Sequence, residues 1–164
     1  MIRIARPSAA SLFIEMKFRD QVLATGTAFV AKGAHGSLLF TNRHNVTGRH
    51  QDTGECLSST GGVPDRLVIY HNRAGSLGQW TPVEEMLFEG NIPRWREHPT
   101  LGPKADLVGF PLRNLEGVEL VEYDLGAPGP GILVGVSDTV SVIGFPFGLR
   151  VGGSCLVPEF DGSD

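Results

Sequence analysis

Hydrophobic and polar residues alternate, or form short apolar runs, in many segments of this chain, and turn-forming residues separate the segments. Because the side chains of a strand point alternately to its two faces, this pattern predicts short β-strands rather than helices. Glycine occurs 22 times and proline 11 times, scattered without a repeat, which also favours strands joined by turns. The predicted strands are residues 11–18, 22–30, 37–41, 67–70, 79–87 and 106–112, with a short strand or crossing segment at 117–121.

The segments between these strands read as turns and surface loops. Residues 19–21 predict a turn between the first two strands, and the glycine-containing residues 33–36 predict another before the third. Residues 48–64 are polar and glycine-rich without periodicity, and residues 89–103 contain prolines, so both predict loops. Six or seven short strands in this order predict an all-β domain, closed or nearly closed into one barrel.

The chain changes character after residue 126. Alternating proline and glycine at 127–131 support neither helix nor sheet, so we predict a linker at 127–136. A further apolar run at 139–146 predicts a strand, and we expect the polar tail beyond Arg150 to be frayed. The predicted organisation is a β-barrel at 1–126, the linker, and the start of a truncated second barrel with a disordered tail at 137–164.

Composition and charge exclude several function classes. The chain of 164 residues is 41% hydrophobic and 20% charged, as in ordinary globular proteins, and its formal charge of -4 gives no general attraction to nucleic acid or an anionic membrane. No stretch approaches the ~20 apolar residues of a membrane span, and the N-terminus does not match a signal peptide. The two cysteines, Cys56 and Cys155, are too few for a secreted disulfide framework, so we expect a cytoplasmic protein.

Three motifs in a fixed order carry the functional prediction. They are Gly26-Thr27-Ala28-Phe29 followed by Thr41-Asn42-Arg43-His44, then Ala105-Asp106-Leu107-Val108-Gly109-Phe110-Pro111-Leu112, and finally Val142-Ile143-Gly144-Phe145-Pro146-Phe147-Gly148. Together they resemble the trypsin-like (chymotrypsin-fold) serine peptidases, especially the bacterial cytosolic branch, over roughly residues 9–150. The resemblance implies a chymotrypsin-like Greek-key β-barrel, the N-terminal barrel of that family, plus the first strand of an incomplete second barrel.

By this resemblance His44 takes the position of the general base, and Asp106 that of the carboxylate that orients it. A serine hydroxyl is a poor nucleophile until a base removes its proton, and a neutral imidazole can do so near pH 7. A buried carboxylate on the other ring nitrogen fixes the tautomer and stabilises the imidazolium. The alternatives are a structural histidine and a water-exposed carboxylate at a strand start. Arg43 and Asn45, beside the histidine, depart from the residues that many relatives have there.

The nucleophile of such a peptidase has no counterpart in the sequence. The family order is His, Asp, Ser, and the serine belongs in a Gly-x-Ser-Gly turn well inside the second barrel. No such motif occurs, and we expect Ser154, in Gly152-Gly153-Ser154-Cys155, to be an ordinary tail residue because it follows Pro146 too closely. Cys155 fails as a nucleophile for the same reason. The oxyanion hole and the specificity pocket belong to the missing half, so we expect the chain alone to be inactive.

Other candidate sites are weaker. His35, His50, His71, His98 and Cys56 are scattered, and no pair has the spacing of a zinc site, so we predict neither a metal nor another cofactor. The segment Gly144-Phe145-Pro146-Phe147-Gly148 lacks the ending of a phosphate-binding loop. Trp80 and Trp95 are expected to be core or loop-anchoring residues.

Three interpretations therefore stay open. The first is the N-terminal part of a serine endopeptidase, whose partner is a peptide or protein substrate once a C-terminal half completes it. The second is a non-catalytic, peptidase-like barrel that binds a protein or peptide partner. The third is an unrelated small β-barrel. If the second barrel is incomplete, strand 139–145 lacks a sheet to join, and the chain is expected to self-associate through it.

Overall fold

The computed structural model describes residues 6–33, 36–125, 135–139 and 143–145. Within them the chain forms two five-residue helices, α1 (Arg6–Ala10) and α2 (Arg43–Thr47). It also forms the strands β1 (Ser11–Phe18), β2 (Gln21–Gly33), β3 (Gly36–Thr41), β4 (Arg66–Arg73), β5 (Ser76–Met86), β6 (Phe88–Glu89), β7 (Ile92–Pro93), β8 (Arg96–Glu97), β9 (Val108–Pro111), β10 (Val118–Glu119) and β11 (Glu122–Asp124). The described part of the chain is therefore all-β, as the alternation predicts.

Antiparallel pairing joins most strands into one sheet. Strands β1, β2 and β3 are consecutive neighbours, and β4 returns beside β1 after the long connection that follows α2. Strand β5 pairs with the free edge of β4, and β9 pairs with β3 and with β8. The order is β10-β4-β1-β2-β3-β9-β8, with β5 also pairing with β4, and β11 adds a parallel pairing to β2.

The core lies inside this curved sheet and comes from alternate positions of its strands. Leu67 and Ile69 of β4 are fully buried with Ile14 of β1 and Leu39 of β3, since residues two apart share one face of a strand. Phe110 of β9 completes the same cluster. Trp80 and Trp95 pack against it as partly buried side chains, which confirms their predicted role.

Backbone pairing within the described residues does not close the sheet into a ring. Side chains instead join β5 to the end of β9. Glu85 accepts the backbone N–H groups of Arg113 at 2.6 Å and Asn114 at 2.9 Å, and Arg94 donates to Glu85 at 3.0 Å and to the carbonyl of Pro111 at 3.1 Å. A buried carboxylate and guanidinium thus satisfy backbone groups that a strand ladder would otherwise pair.

The strands predicted up to residue 121 are present, but several of their bounds are wrong. Strand β2 is longer than residues 22–30, β4 continues to Arg73, and β5 begins at Ser76. Strand β9 begins only at Val108, so Asp106 precedes the strand instead of belonging to it. The loop predicted at 89–103 contains the short strands β7 and β8. A strand of two residues is too short to show alternation of hydrophobic and polar side chains, so the sequence does not predict it. Only its pairing with a neighbouring strand defines it.

The segment predicted as the first strand of a second barrel is described only in part. Residues 139 and 143–145 have no strand pairing in the described structure. Phe145 is buried, contacts the rings of Phe13 and Trp80 edge-on, and donates its backbone N–H to Thr27 Oγ1 at 2.9 Å. Residues 34–35 of the predicted hairpin turn, 127–134 of the linker, 140–142 and 146 of the strand, and the tail lie outside the described residues.

Candidate active site

The short helix α2 holds His44 at the end of β3. Asn42 precedes the helix in an extended conformation, and Gly48 ends it in the left-handed region (φ 65°), donating its N–H to the His44 carbonyl at 2.9 Å. A Cβ on Gly48 would lie 2.6 Å from Cδ of Pro64, so both backbone conformation and space require glycine. The sequence placed His44 just past the strand but did not predict this helix.

Packing against β2 fixes the position of α2. Asn45 is buried and donates to Thr41 Oγ1 at 2.9 Å, and Thr41 donates in turn to the Thr27 carbonyl at 2.9 Å. The Asn45 amide lies so close to Gly26 that a Cβ there would be 2.9 Å from Nδ2. The glycine that opens the Gly26-Thr27-Ala28-Phe29 motif therefore makes room for the helix that carries His44.

Pairing of β3 with β9 brings Asp106 to this helix. Thr41 pairs with Val108, so the residues just before Val108 lie beside those just after Thr41. Asp106 Oδ2 is 2.7 Å from His44 Nδ1, and Oδ1 accepts the backbone N–H of His44 at 3.0 Å. Both carboxylate oxygens thus contact the same residue, which fixes the imidazole relative to the backbone.

Asn42 contacts the same carboxylate from the other side. Its Nδ2 donates to Asp106 Oδ2 at 3.1 Å and to the Asp106 carbonyl at 3.2 Å. Partial burial raises the pKa of Asp106, but hydrogen bonds from the backbone and ring of His44, its charge, and the Asn42 amide together outweigh burial and lower that pKa below its ordinary value. Asp106 is therefore ionised and only accepts hydrogen bonds.

An ionised Asp106 assigns the proton of a neutral His44 to Nδ1, since that nitrogen must donate. Nε2 then carries a lone pair. The hydrogen bonds of His44 within the described residues use Nδ1 and its backbone N–H and carbonyl, and Nε2 takes part in none of them. The His44 side chain is 36% exposed. The arrangement is a base with one nitrogen fixed and the other accessible.

An ion pair between Arg43 and Glu97 connects α2 to strand β8. Arg43 Nε donates to Glu97 Oε1 at 2.9 Å, and Glu97 belongs to β8, which pairs with β9. Sequence reasoning missed Asn42 and Glu97 as site residues. The sequence does contain a signal for Asn42, because an asparagine before a short helix that a glycine ends is a common pattern. It contains no such signal for Glu97.

The remaining histidines do not assemble into a site. His50 and His98 each accept backbone N–H groups of their own turns at Nδ1. His71 is fully buried in β4. In residues 6–33, 36–125, 135–139 and 143–145, no three His, Cys, Asp or Glu side chains gather as a metal would require. His35, Ser154 and Cys155 lie outside those ranges.

Comparison with protein-family models, with curated proteins and with solved structures finds no match for this chain. The described helices are also too short to cross a membrane. Functional inference therefore depends on the geometry of His44, Asp106 and their neighbours.

Proposed function

We propose that this chain is the N-terminal part of a trypsin-like serine endopeptidase. In this proposal His44 is the general base and Asp106 orients it. The nucleophilic serine, oxyanion hole and specificity pocket are supplied from outside these 164 residues. The observation that carries the proposal is the two-point contact between Asp106 and His44, with Nε2 left accessible.

The geometry suits each proton transfer in the reaction. His44 Nε2 accepts the serine hydroxyl proton while the oxygen attacks the peptide carbonyl carbon, and the imidazolium then gives that proton to the departing amine. A water molecule attacks the resulting ester by the same route in reverse and frees the serine. Asp106 stays ionised throughout and stabilises the imidazolium, which its lowered pKa favours.

The strand order also supports the proposal. Three hairpin-linked strands with a fourth returning beside the first form the order of a Greek key, here β4-β1-β2-β3. We propose that Glu85 and Arg94 complete a chymotrypsin-like barrel across the gap between β5 and β9. A cytoplasmic location belongs to the same proposal, because two cysteines are too few for a secreted disulfide framework.

The chain alone is expected to be inactive. Loss of the nucleophile from a comparable triad lowers turnover on the order of a million-fold, and what remains depends on the oxyanion hole and substrate binding. No Gly-x-Ser-Gly sequence occurs in these residues. A peptidase assay on the 164 residues alone therefore gives no turnover above background under either the enzyme or the binding-module interpretation.

The deciding experiment uses the protein from its native source. A lysate is treated with a fluorophosphonate probe, and the protein is captured with an antibody against residues 6–125 and examined for mass and label. The proposal predicts label on a species above 17.6 kDa, or on a second chain captured with it. The matched control replaces His44 with alanine in the native gene, which should abolish labelling.

Two results would contradict the proposal. An unlabelled species of 17.6 kDa with no labelled companion would favour a non-catalytic barrel that binds a peptide or protein. Labelling that survives His44→Ala undiminished would show that His44 is not the base.

A further inference from the structure

A cleft of about 190 Å³ opens directly beside His44. Apolar side chains from β1, β2 and the loop after α2 form most of its lining, namely Met16, Leu23, Ala24, Leu57 and Pro64. None of the described residues that line it is Asp, Glu, Lys or Arg. The cleft is therefore an uncharged, mainly apolar space with the imidazole at its edge.

A β-bulge places Leu23 in this cleft. Met16 pairs with Ala24 and Lys17 pairs with Val22, so Leu23 is an extra residue in β2 without a partner in β1. An extra residue bends the strand and redirects its side chain, and such bulges are common beside active sites. Leu23 packs so closely on Gly62 that a Cβ at Gly62 would lie 2.8 Å from Cδ2 of Leu23.

The loop after α2 also lines the cleft. Gly48 and Pro64 are in close contact at its two ends, so the loop leaves α2 at Gly48 and returns to the same place before β4 begins. Leu57, within this loop, remains 49% exposed although it lines the cleft. An apolar side chain that is half exposed at an open cleft gains burial when an apolar group enters.

The volume of the cleft limits its occupant to one side chain. An apolar cavity of ~150 Å³ holds a benzene-sized molecule, whereas pockets for larger ligands start at roughly 300 Å³. About 190 Å³ therefore fits one leucine, methionine or phenylalanine side chain. A charged side chain would lose its hydration without gaining a counter-charge, because the lining carries none.

We propose that this cleft is a substrate subsite, and that it binds one uncharged, apolar side chain of a peptide whose scissile bond lies at His44. The subsite rests on the proposed peptidase function for its role, but its selectivity resides in residues of this chain. It assigns to Leu23, Leu57 and Met16 the recognition of an apolar residue in the substrate.

The test is a methyl NMR titration of the 164-residue chain with single-residue probes. N-acetyl-leucine amide should shift the methyl signals of Met16, Leu23 and Leu57 together with the ring signals of His44. N-acetyl-glutamate amide and N-acetyl-lysine amide should bind at least about tenfold more weakly, because they bury no comparable apolar surface. Equal shifts from all three probes would overturn the subsite.

A matched pair of variants locates the binding. Ala24→Leu adds an apolar side chain at an exposed position on the rim and should weaken leucine-amide binding by about tenfold or more. Leu77→Ala changes another exposed apolar residue outside the lining and should leave binding unchanged. Binding that persists in Ala24→Leu, while the core methyl signals stay in place, would overturn the proposal.

The two proposals fail in different ways. Absence of leucine-amide binding in a protein whose native form is labelled by fluorophosphonate overturns the subsite alone. Leucine-amide binding in a protein whose native form carries no label overturns the peptidase function and with it the role of the cleft in substrate selection.

Discussion

Two acid-base pairs in this domain have opposite environments. The closure pair, Glu85 and Arg94, joins β5 to the end of β9, and its side chains are 1% and 6% exposed. The site pair, His44 and Asp106, joins α2 to the segment before β9, and its side chains are 36% and 28% exposed. Both pairs connect elements that the backbone ladder does not, yet only one is available to a ligand.

The accessibility of the atom that each pair leaves without a hydrogen bond distinguishes the pairs as clearly as burial. Glu85 accepts from the guanidinium and from two backbone N–H groups, and Arg94 also donates to the carbonyls of Met86 and Pro111. In the site pair Asp106 is saturated in the same way, but His44 keeps Nε2 unbonded within the described residues. The one atom of the closure pair without a partner among the described residues, Arg94 Nε, is buried away from any ligand, whereas the accessible lone pair of His44 can take part in chemistry.

Glu85→Gln should have the largest effect on stability. It leaves the Arg94 guanidinium buried without its counter-charge, and breaking one side of a buried pair costs about 3–5 kcal/mol. Urea unfolding followed by tryptophan fluorescence measures the loss, because Trp80 and Trp95 pack on the core.

The control is Glu89→Gln, which breaks a pair with Arg113 whose side chains are 68% and 58% exposed. Solvent screens this exposed pair, so the change should leave the urea midpoint close to that of the wild type. Similar losses for the two variants would mean that the closure pair has no special structural role.

His71 should make the free energy of unfolding decrease as the pH falls. It is fully buried, and burial lowers its pKa from 6.5 to about 4, although the charge of Glu85 opposes that shift. Between these values the unfolded chain binds the proton and the folded chain does not. Stability from this residue is full above pH 6.5 and declines as the pH falls toward 4, by about 3 kcal/mol in total.

Comparison with His71→Leu isolates this effect from carboxylates that titrate in the same range. The wild type should lose thermal stability more steeply than the variant between pH 6.5 and 4.5. Parallel curves would show that His71 is not the residue responsible.

Gly26→Ala should disturb the site pair through its support. The added Cβ would lie 2.9 Å from Nδ2 of Asn45, so that side chain, or α2 with it, must shift, at a cost of about 1–3 kcal/mol. The change should also alter the amide signals of residues 43–47. Gly33→Ala, where the nearest atom is 3.9 Å away, is the control and should have little effect. Unchanged signals for both the Asn45 side-chain amide and the backbone of residues 43–47 in Gly26→Ala would refute the packing argument.

Asp106→Asn should have the smallest effect on stability, about 1 kcal/mol or less, because the site pair is partly exposed. The amide oxygen of the asparagine can still accept the backbone N–H of His44. The substitution should instead change the tautomer of the His44 ring. A loss as large as that of Glu85→Gln would remove the distinction between the two pairs.

Sequence reasoning found the strands and the site pair but not the contacts that support them. Alternation and short apolar runs identified β1 to β5 and β9, since most of these strands contribute buried side chains to the core. It could not show that Glu85 and Arg94 meet, because their contact depends on how the sheet curves. Helix α2 was missed because five residues show no helical periodicity. The resemblance named His44 and Asp106, and only the register of β3 with β9 explains how they meet.

The most direct test of the account is the tautomer of His44, read from ring nitrogen-15 NMR of the 164-residue chain above pH 7.5. The account predicts a protonated Nδ1 bonded to Asp106 and an unprotonated Nε2. It also predicts that Asp106→Asn favours the opposite tautomer, since an amide can donate to Nδ1. A proton on Nε2 in the wild type, or an unchanged tautomer in Asp106→Asn, would contradict the assignment of His44 as an oriented base.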